Sequence, residues 1–344
     1  MNQPLLRYAA TLALAFSAGA LCDWLNTPLP WMLGPLLVTA AGRLAGLPLG
    51  VPDKTRNLGQ WLIGITLGLY FSPSAAAQAL GILPLILLGS LIAVLAGALC
   101  GHLLGYLTKT NAATSFFAAM PGGASEMAIL AERYGARPDL VAAAHTLRVV
   151  LVVALIPALY YAFDLHGNAP ADINNANSNL WQLAGLGLAG AFGALIWRAL
   201  GQANAWILGP LFVTALLTGS DLAHTQMPGL LSALGQLCLG TALGSRFSPD
   251  FLREAPRFLA ASLLATVLMT VLLSLAGLVM AWFSGLNPPS TVLGLSPGGI
   301  AEMCITAKAL HLSVPIVTSF HVIRAMAVVV LAGPVFRLLH GRKT

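Results

Sequence analysis

The sequence of 344 residues carries very little charge. Only 8% of its residues are Asp, Glu, Lys or Arg, whereas 58% are hydrophobic, and the mean hydropathy is +0.83. Soluble domains have about 25% charged residues, so this chain has too few to cover a surface exposed to water. The composition excludes a soluble globular protein and predicts an all-α polytopic membrane protein, whose main partner is the lipid bilayer.

The sequence also lacks the basic clusters of a nucleic-acid-binding protein. The net charge is +6, yet Lys and Arg form no run and no separate DNA-binding domain has room to exist. Basic residues of membrane proteins collect on cytoplasmic loops, which accounts for the positive balance. We therefore expect no nucleic-acid partner. We expect a small-molecule or ion ligand of unknown identity, and a homo-oligomer is left open.

Motifs that carry enzymatic chemistry are missing as well. The sequence contains no GxxxxGK[ST] phosphate loop, no HExxH zinc motif and no Ser/His/Asp spacing, and its seven histidines are scattered. The four cysteines lie singly in apolar segments, without metal or CxxC spacing. We therefore predict no enzymatic activity, no metal site and no cofactor.

What the sequence does contain is a motif that occurs twice. Each copy has Pro-Gly-Gly, then a Glu three residues after the second glycine, and further on a His and an Arg three residues apart. Equivalent residues of the two copies are separated by 176 positions throughout. The residues that we single out are Pro121, Gly122, Gly123, Ser125, Glu126, His145 and Arg148, and Pro297, Gly298, Gly299, Glu302, His321 and Arg324.

Shorter matches extend the duplication along the chain. Trp31-Met-Leu-Gly-Pro35 matches Trp206-Ile-Leu-Gly-Pro210, and a Leu-Gly-Gln triplet that ends at Gln60 matches one that ends at Gln236. Helices are predicted in the same order in both halves: at 5–21, 31–45, 58–70, 82–107, 111–135 and 140–163, and at 180–200, 205–218, 230–247, 258–283, 291–311 and 314–339. The predicted organisation is a first transmembrane repeat at 1–163, a polar linker at 164–179 and a second repeat at 180–344.

The orientation depends on how the motif segment runs. If it is a re-entrant hairpin, each repeat crosses the membrane five times and the second repeat is inverted. With the N-terminus inside, all Lys and Arg residues except Lys308, Arg148 and Arg324 then fall on the cytoplasmic side. If the segment crosses fully, the repeats are parallel and Arg133 and Arg137 lie outside. We therefore predict two inverted repeats of about five transmembrane helices each, with a Pro-Gly-Gly-broken or re-entrant segment in each.

The two breaks predict interrupted helices with chemistry at their ends. A helix that restarts after the glycines directs unsatisfied N–H groups at the break, where they favour an anionic group. The alternative is a kink that allows close helix packing. A carboxylate at membrane depth costs roughly 2.5–3.5 kcal/mol and is normally functional or paired. Glu126 and Glu302 are thus either proton or cation sites or ion-pair partners of Arg148 and Arg324.

The other polar residues of the site also allow two interpretations each. The two arginines suit an anionic solute held between them, because the guanidinium fork matches a carboxylate or phosphate; otherwise each neutralises its Glu. His145 and His321 are either proton relays or buried hydrogen-bond partners. Gln60 and Gln236 either line the cavity or form a hydrogen bond between helices.

The duplicated Pro-Gly-Gly-x-x-Glu-Met and Trp-x-Leu-Gly-Pro sequences resemble the bacterial AbrB family of duplicated membrane proteins over nearly the whole chain. This is not the soluble DNA-binding AbrB. The family carries two labels, ammonia monooxygenase and regulator of gene expression. The first conflicts with the missing metal ligands, and the second implies an indirect effect. The broken helices are also similar to those of bile-acid symporters and sodium/proton antiporters.

We therefore expect a secondary-transporter-like protein of the bacterial inner membrane, with both termini cytoplasmic. It would bind a small anionic solute between the two motif copies, with coupling to H⁺ or Na⁺ through the glutamates. The alternative is a membrane sensor or regulatory protein that influences gene expression without transport.

The orientation can be tested by labelling single introduced cysteines with a membrane-impermeant maleimide. Lys54→Cys should react only in inverted vesicles and Asp221→Cys only in intact cells. Arg137→Cys should react from the cytoplasmic side, because a hairpin returns to the side from which it enters. The parent chain is the control. Labelling of Arg137→Cys from outside would contradict the hairpin and the inverted arrangement.

Overall fold

The computed structural model describes residues 3–167, 179–247 and 255–341, and these residues form helices without any strand. The predicted linker therefore lies largely outside the described residues. The helices are α1 (Gln3–Trp24), α2 (Pro30–Leu44), α3 (Asp53–Gly68), α4 (Pro73–Gly81), α5 (Leu83–Thr108), α6 (Ala112–Ala119), α7 (Ala124–Glu132), α8 (Pro138–Ala162), α9 (Leu180–Ala199), α10 (Ala205–Gly219), α11 (Gly229–Gly244), α12 (Pro256–Ser284), α13 (Pro288–Leu295), α14 (Ile300–Ala309) and α15 (Val314–His340).

Five of these helices are long and apolar enough to cross a membrane: α5, α8, α9, α12 and α15. The all-α polytopic fold is thus confirmed. Helices α2, α3, α10 and α11 have 15 or 16 residues. At 1.5 Å per residue they are about 22–24 Å long, which is less than the ~30 Å of a bilayer core. The number of crossings in each repeat therefore stays a prediction.

The short helix α4 was not predicted from the sequence. It begins at Pro73, a residue favoured in the first helical position, and the Ser72 hydroxyl accepts a hydrogen bond from the Ala75 amide at 3.3 Å. This Ser-Pro start before a run of alanines is a recognisable signal. No residue of α4 is buried, so the hydrophobic pattern on which the other predictions depend is absent here.

The helices pack into two compact units, and each unit contains helices from both sequence halves. Unit 1 comprises α1–α4 and α9–α11, and unit 2 comprises α5–α8 and α12–α15. Each predicted repeat is therefore divided between the two units. The repeats were defined by matching sequence and the units are defined by helix packing. The packing units therefore do not test the repeat boundaries, which stay a prediction.

Glycines let the helix backbones of unit 1 approach closely at matched places. A Cβ atom at Gly34 in α2 would lie 2.5 Å from the Ala18 carbonyl oxygen in α1, and one at Gly209 in α10 would lie 2.5 Å from the Ala194 nitrogen in α9. These two glycines belong to the Trp-x-Leu-Gly-Pro copies. That duplicated sequence thus serves helix packing, in the manner of small residues in membrane proteins.

Helices α3 and α10 cross in the same way at Gly64, where an added Cβ atom would lie 2.5 Å from the Ile207 carbonyl oxygen. Because the obstacle is backbone, Gly64→Ala should lower the free energy of unfolding by about 1–3 kcal/mol. Thermal unfolding of the purified protein measures this change. The control is Gly229→Ala at the start of α11, where an added Cβ meets nothing within 4 Å; its stability should be unchanged or slightly higher. Equal stability of both variants would contradict the close crossing.

Candidate functional site

Both motif segments are hairpins that leave and return at the same end. In the first hairpin, α6 and α7, the backbone amide of Arg137 donates to the Thr114 hydroxyl at 3.0 Å, which joins the segment's end to its start. In the second, α13 and α14, the Ser313 amide donates to the Ser290 hydroxyl at 3.2 Å. The backbone of each motif segment therefore follows the hairpin course, which was the first of the two predicted alternatives. A segment that ran straight through would have its two ends separated by the length of both arms.

The two hairpins enter unit 2 from opposite ends. Helix α8 starts directly after the first hairpin, and near its other end the Tyr160 hydroxyl donates to the Pro289 carbonyl at the base of the second hairpin, at 2.9 Å. Helix α15 runs the reverse way. It starts after the second hairpin, and near its end Phe336 packs on Phe116 of the first, with ring centroids 5.2 Å apart. The Pro-Gly-Gly tips therefore lie between the two ends of unit 2.

An arginine holds each tip from behind. Arg148 Nη1 donates to the Met120 carbonyl at 2.7 Å and Nη2 donates to the Gly122 carbonyl at 3.0 Å. These carbonyls follow the end of α6, where no further helical turn supplies donors. The guanidinium is thus a fork that spans the break. Arg324 repeats the arrangement in the second hairpin with the carbonyls of Leu295, Ser296 and Gly298, at 3.2, 2.5 and 2.9 Å.

This is a third role beside the two that the sequence suggested. The side chains of Arg148 and Arg324 are only 3% and 4% exposed, and the partners of both forks are backbone carbonyls together with the ring of His145. Each guanidinium therefore binds the backbone carbonyls of its own break.

The two histidines are buried but differ in their hydrogen bonds. His145 Nε2 lies 2.9 Å from the Phe117 carbonyl, so it carries the proton, and Nδ1 accepts from Arg148 Nη2 at 2.9 Å. Both ring nitrogens of His145 are engaged, which favours the interpretation as a hydrogen-bond partner. His321 Nδ1 lies 2.8 Å from the Gly294 carbonyl, while its Nε2 is buried without a hydrogen-bond partner.

The glutamates lie in front of the breaks, at the starts of α7 and α14. Glu126 and Glu302 are each the third residue of their helix, where a carboxylate is stabilised by the helix dipole and by free backbone N–H groups. A Cβ atom at Gly123 or Gly299 would overlap the carboxylate of the following Glu. The second glycine of each motif therefore leaves room for the carboxylate of the following Glu in this position. Both glutamates are partly exposed, in contrast to the buried arginines.

The remaining predicted residues are not among the hydrogen-bond partners described for the two arginines. Ser125 is exposed beside Glu126, and the two prolines that precede the glycines are buried. Gln60 and Gln236 belong to unit 1, not to the unit that carries the motif. Each follows a glycine at the crossing of α3 and α11, where an added Cβ at Gly59 would lie 2.8 Å from the Gly235 carbonyl oxygen. A cavity-lining role for these glutamines stays a prediction.

Sequence reasoning missed the residues that close the hairpins. Asn111 caps α6 by accepting from the Ala113 amide at 2.8 Å, and Asn287 caps α13 by accepting from the Ser290 amide at 3.0 Å. Both this Asn pair and the Thr114–Ser290 pair are separated by the same 176 positions as the motif. Matched polar residues at the repeat spacing were the signal that could have identified them.

The fold and the site define an all-α membrane protein with paired broken hairpins. The chain belongs to the AbrB family, described as transition state regulatory protein AbrB, whose profile matches residues 31–340. It is 27% identical to the uncharacterised protein YhjN of Bacillus subtilis (strain 168), covering 98% of this chain and 94% of that protein. It is also 27% identical to a protein of Escherichia coli (strain K12) named as a regulator AbrB, covering 96% and 95%. The predicted family membership is thus confirmed.

The fork geometry predicts that a lysine cannot replace either arginine. Arg148→Lys keeps the charge but offers one nitrogen to carbonyls on both sides of the break, so it should lower the free energy of unfolding by about 1.5–3 kcal/mol. Arg324→Lys should behave alike. The exposed Arg133→Lys in the same hairpin is the control and should stay within about 0.5 kcal/mol of the parent. If denaturant unfolding finds the three variants equally stable, the arginines do not hold the breaks.

Proposed function

We propose that the protein is a secondary transporter that binds a small anionic solute at the two hairpin tips of unit 2. The observation that carries this proposal is the pair of broken hairpins that enter from opposite ends and each present a partly exposed carboxylate at a helix start. Interrupted helices that meet near the middle of the membrane are the usual substrate sites of secondary transporters.

In this proposal the arginines and the glutamates have separate tasks. The arginines keep the breaks in shape, because their nitrogens bind the carbonyls of the tips. The glutamates couple the solute to H⁺ or Na⁺. Each carboxylate lies at the positive pole of α7 or α14, where it competes with an anionic group of the solute. A proton or Na⁺ that neutralises the carboxylate would relieve this competition, so that solute and cation bind together.

The membrane arrangement forms part of the same proposal. We propose inverted repeats in the bacterial inner membrane, with both termini cytoplasmic. The antiparallel course of α8 and α15 between the two hairpin bases supports the inversion within unit 2. The distribution of Lys and Arg supports the orientation.

A second candidate is a membrane regulator that binds the same ligand without moving it. The observation that favours it is the name of the Escherichia coli relative, a regulator AbrB. An effect on gene expression would then be indirect and would pass through a partner protein.

Transport by purified protein in liposomes distinguishes the two candidates. A panel of small organic acids should yield one whose tracer uptake is driven by a pH or Na⁺ gradient. Glu126→Gln and Glu302→Gln should each lose at least ten-fold of this gradient-driven uptake, because neither variant can alternate between charged and neutral. Glu132→Gln, which changes an exposed carboxylate in the same arm, is the matched control and should keep it.

Two outcomes would contradict the proposal. A solute that stabilises the protein against unfolding, yet is not taken up by the parent protein, would favour the regulator. Gradient-driven uptake that is as fast in both glutamate variants as in Glu132→Gln would show that Glu126 and Glu302 do not couple the solute to H⁺ or Na⁺.

A further inference from the structure

A small cavity lies behind the first break, on the side of Arg148. Its volume is about 10 Å³, and its polar lining comes from Arg148, Ser262 and Thr266, together with the weakly polar thiol of Cys100. This is about the space that one water-sized particle needs. Alanines, Leu104 and Met269 form most of the remaining wall, so an occupant meets a few polar groups in an apolar setting.

Two hydrogen-bond donors of this lining are buried and have no partner. They are the Nε–H of Arg148 and the hydroxyl of Ser262, whose residues are 3% and 4% exposed. The Thr266 hydroxyl donates instead to the Ser262 carbonyl at 2.8 Å, so its hydrogen is already used. Buried donors without acceptors are costly, and a native structure normally supplies something to receive them.

The charge of the site selects an anion over a neutral acceptor. Arg148 brings a full positive charge into an apolar interior, and its hydrogen-bond partners are backbone carbonyls and the His145 ring. A buried cation needs a counter-charge to offset the loss of water.

We propose that this cavity binds one monatomic anion of the size of chloride, held by Arg148 Nε and the Ser262 hydroxyl. The anion is a fixed counter-ion of the first hairpin and needs no transport of any solute, so this inference is independent of the proposed function. At the second hairpin the Nε–H of Arg324 is likewise buried without a hydrogen-bond partner, but among the described residues no unpartnered hydroxyl takes the place of Ser262 beside it. The position that corresponds to Ser262 is Ile86, whose side chain offers no hydrogen bond.

The test is thermal unfolding of the purified protein as chloride is titrated at constant ionic strength, with gluconate as the replacing anion because gluconate is too large for the cavity. The unfolding temperature should rise with chloride or bromide and saturate. Ser262→Ala should weaken the apparent chloride affinity roughly ten-fold, which corresponds to the loss of one hydrogen bond to a charged group.

Two further variants separate ion binding from a loss of folding. Ser90→Ala removes a buried hydroxyl of α5 that already donates to the Ile86 carbonyl at 2.9 Å, and its chloride response should equal that of the parent. Ala265→Val fills the cavity while both donors remain, and it should abolish the chloride response. In crystals grown with bromide, anomalous scattering should place one bromide between Arg148 and Ser262.

An unfolding temperature of the parent protein that is the same in chloride and gluconate would overturn the proposal. So would a saturable halide response that Ala265→Val leaves unchanged, or bromide crystals in which the cavity holds only a water molecule.

Discussion

The bidentate hydrogen bonding of a buried guanidinium to the carbonyls of a broken helix is the constraint on which unit 2 depends. A break in a membrane-embedded helix exposes carbonyls on one side and N–H groups on the other, and lipid satisfies neither. Arg148 and Arg324 bind the carbonyls from behind, and Glu126 and Glu302 lie at the N–H side in front. The motif is thus a break together with the two charges that neutralise its poles.

In this arrangement the glycines of the motif have a different use from the glycines of the other duplicated sequence. At Gly123 and Gly299 a side chain would overlap the glutamate that follows. In unit 1, Gly34 and Gly209 instead allow one backbone to touch another. The first use of glycine shapes a polar site and the second uses small residues as a packing surface. Of these two duplicated sequences, the motif in unit 2 is the one that carries ionisable side chains.

Much of the fold could be predicted, because hydrophobic runs and Pro or Gly signals are local. Helices α5, α8 and α15 begin and end within two residues of their predicted bounds. The break at Pro121 and the matching of the two copies were likewise readable from spacing. The division of each repeat between two units was not, because it depends on packing between distant segments. The partners of Arg148 were also missed, since a sequence shows neighbouring carboxylates but does not show which backbone carbonyls lack a donor.

Hydrogen–deuterium exchange at the two breaks tests the central claim most directly. The Gly122 amide donates to the Met120 carbonyl at 2.8 Å and the Met127 amide donates to the Gly123 carbonyl at 2.9 Å, and Arg148 holds both sides of this turn. In Arg148→Lys these amides should exchange at least ten-fold faster, while the equivalent amides near Gly298 stay close to their parent rates. Unchanged exchange at Gly122 and Met127 would contradict the account, because the break would then keep its shape without the arginine.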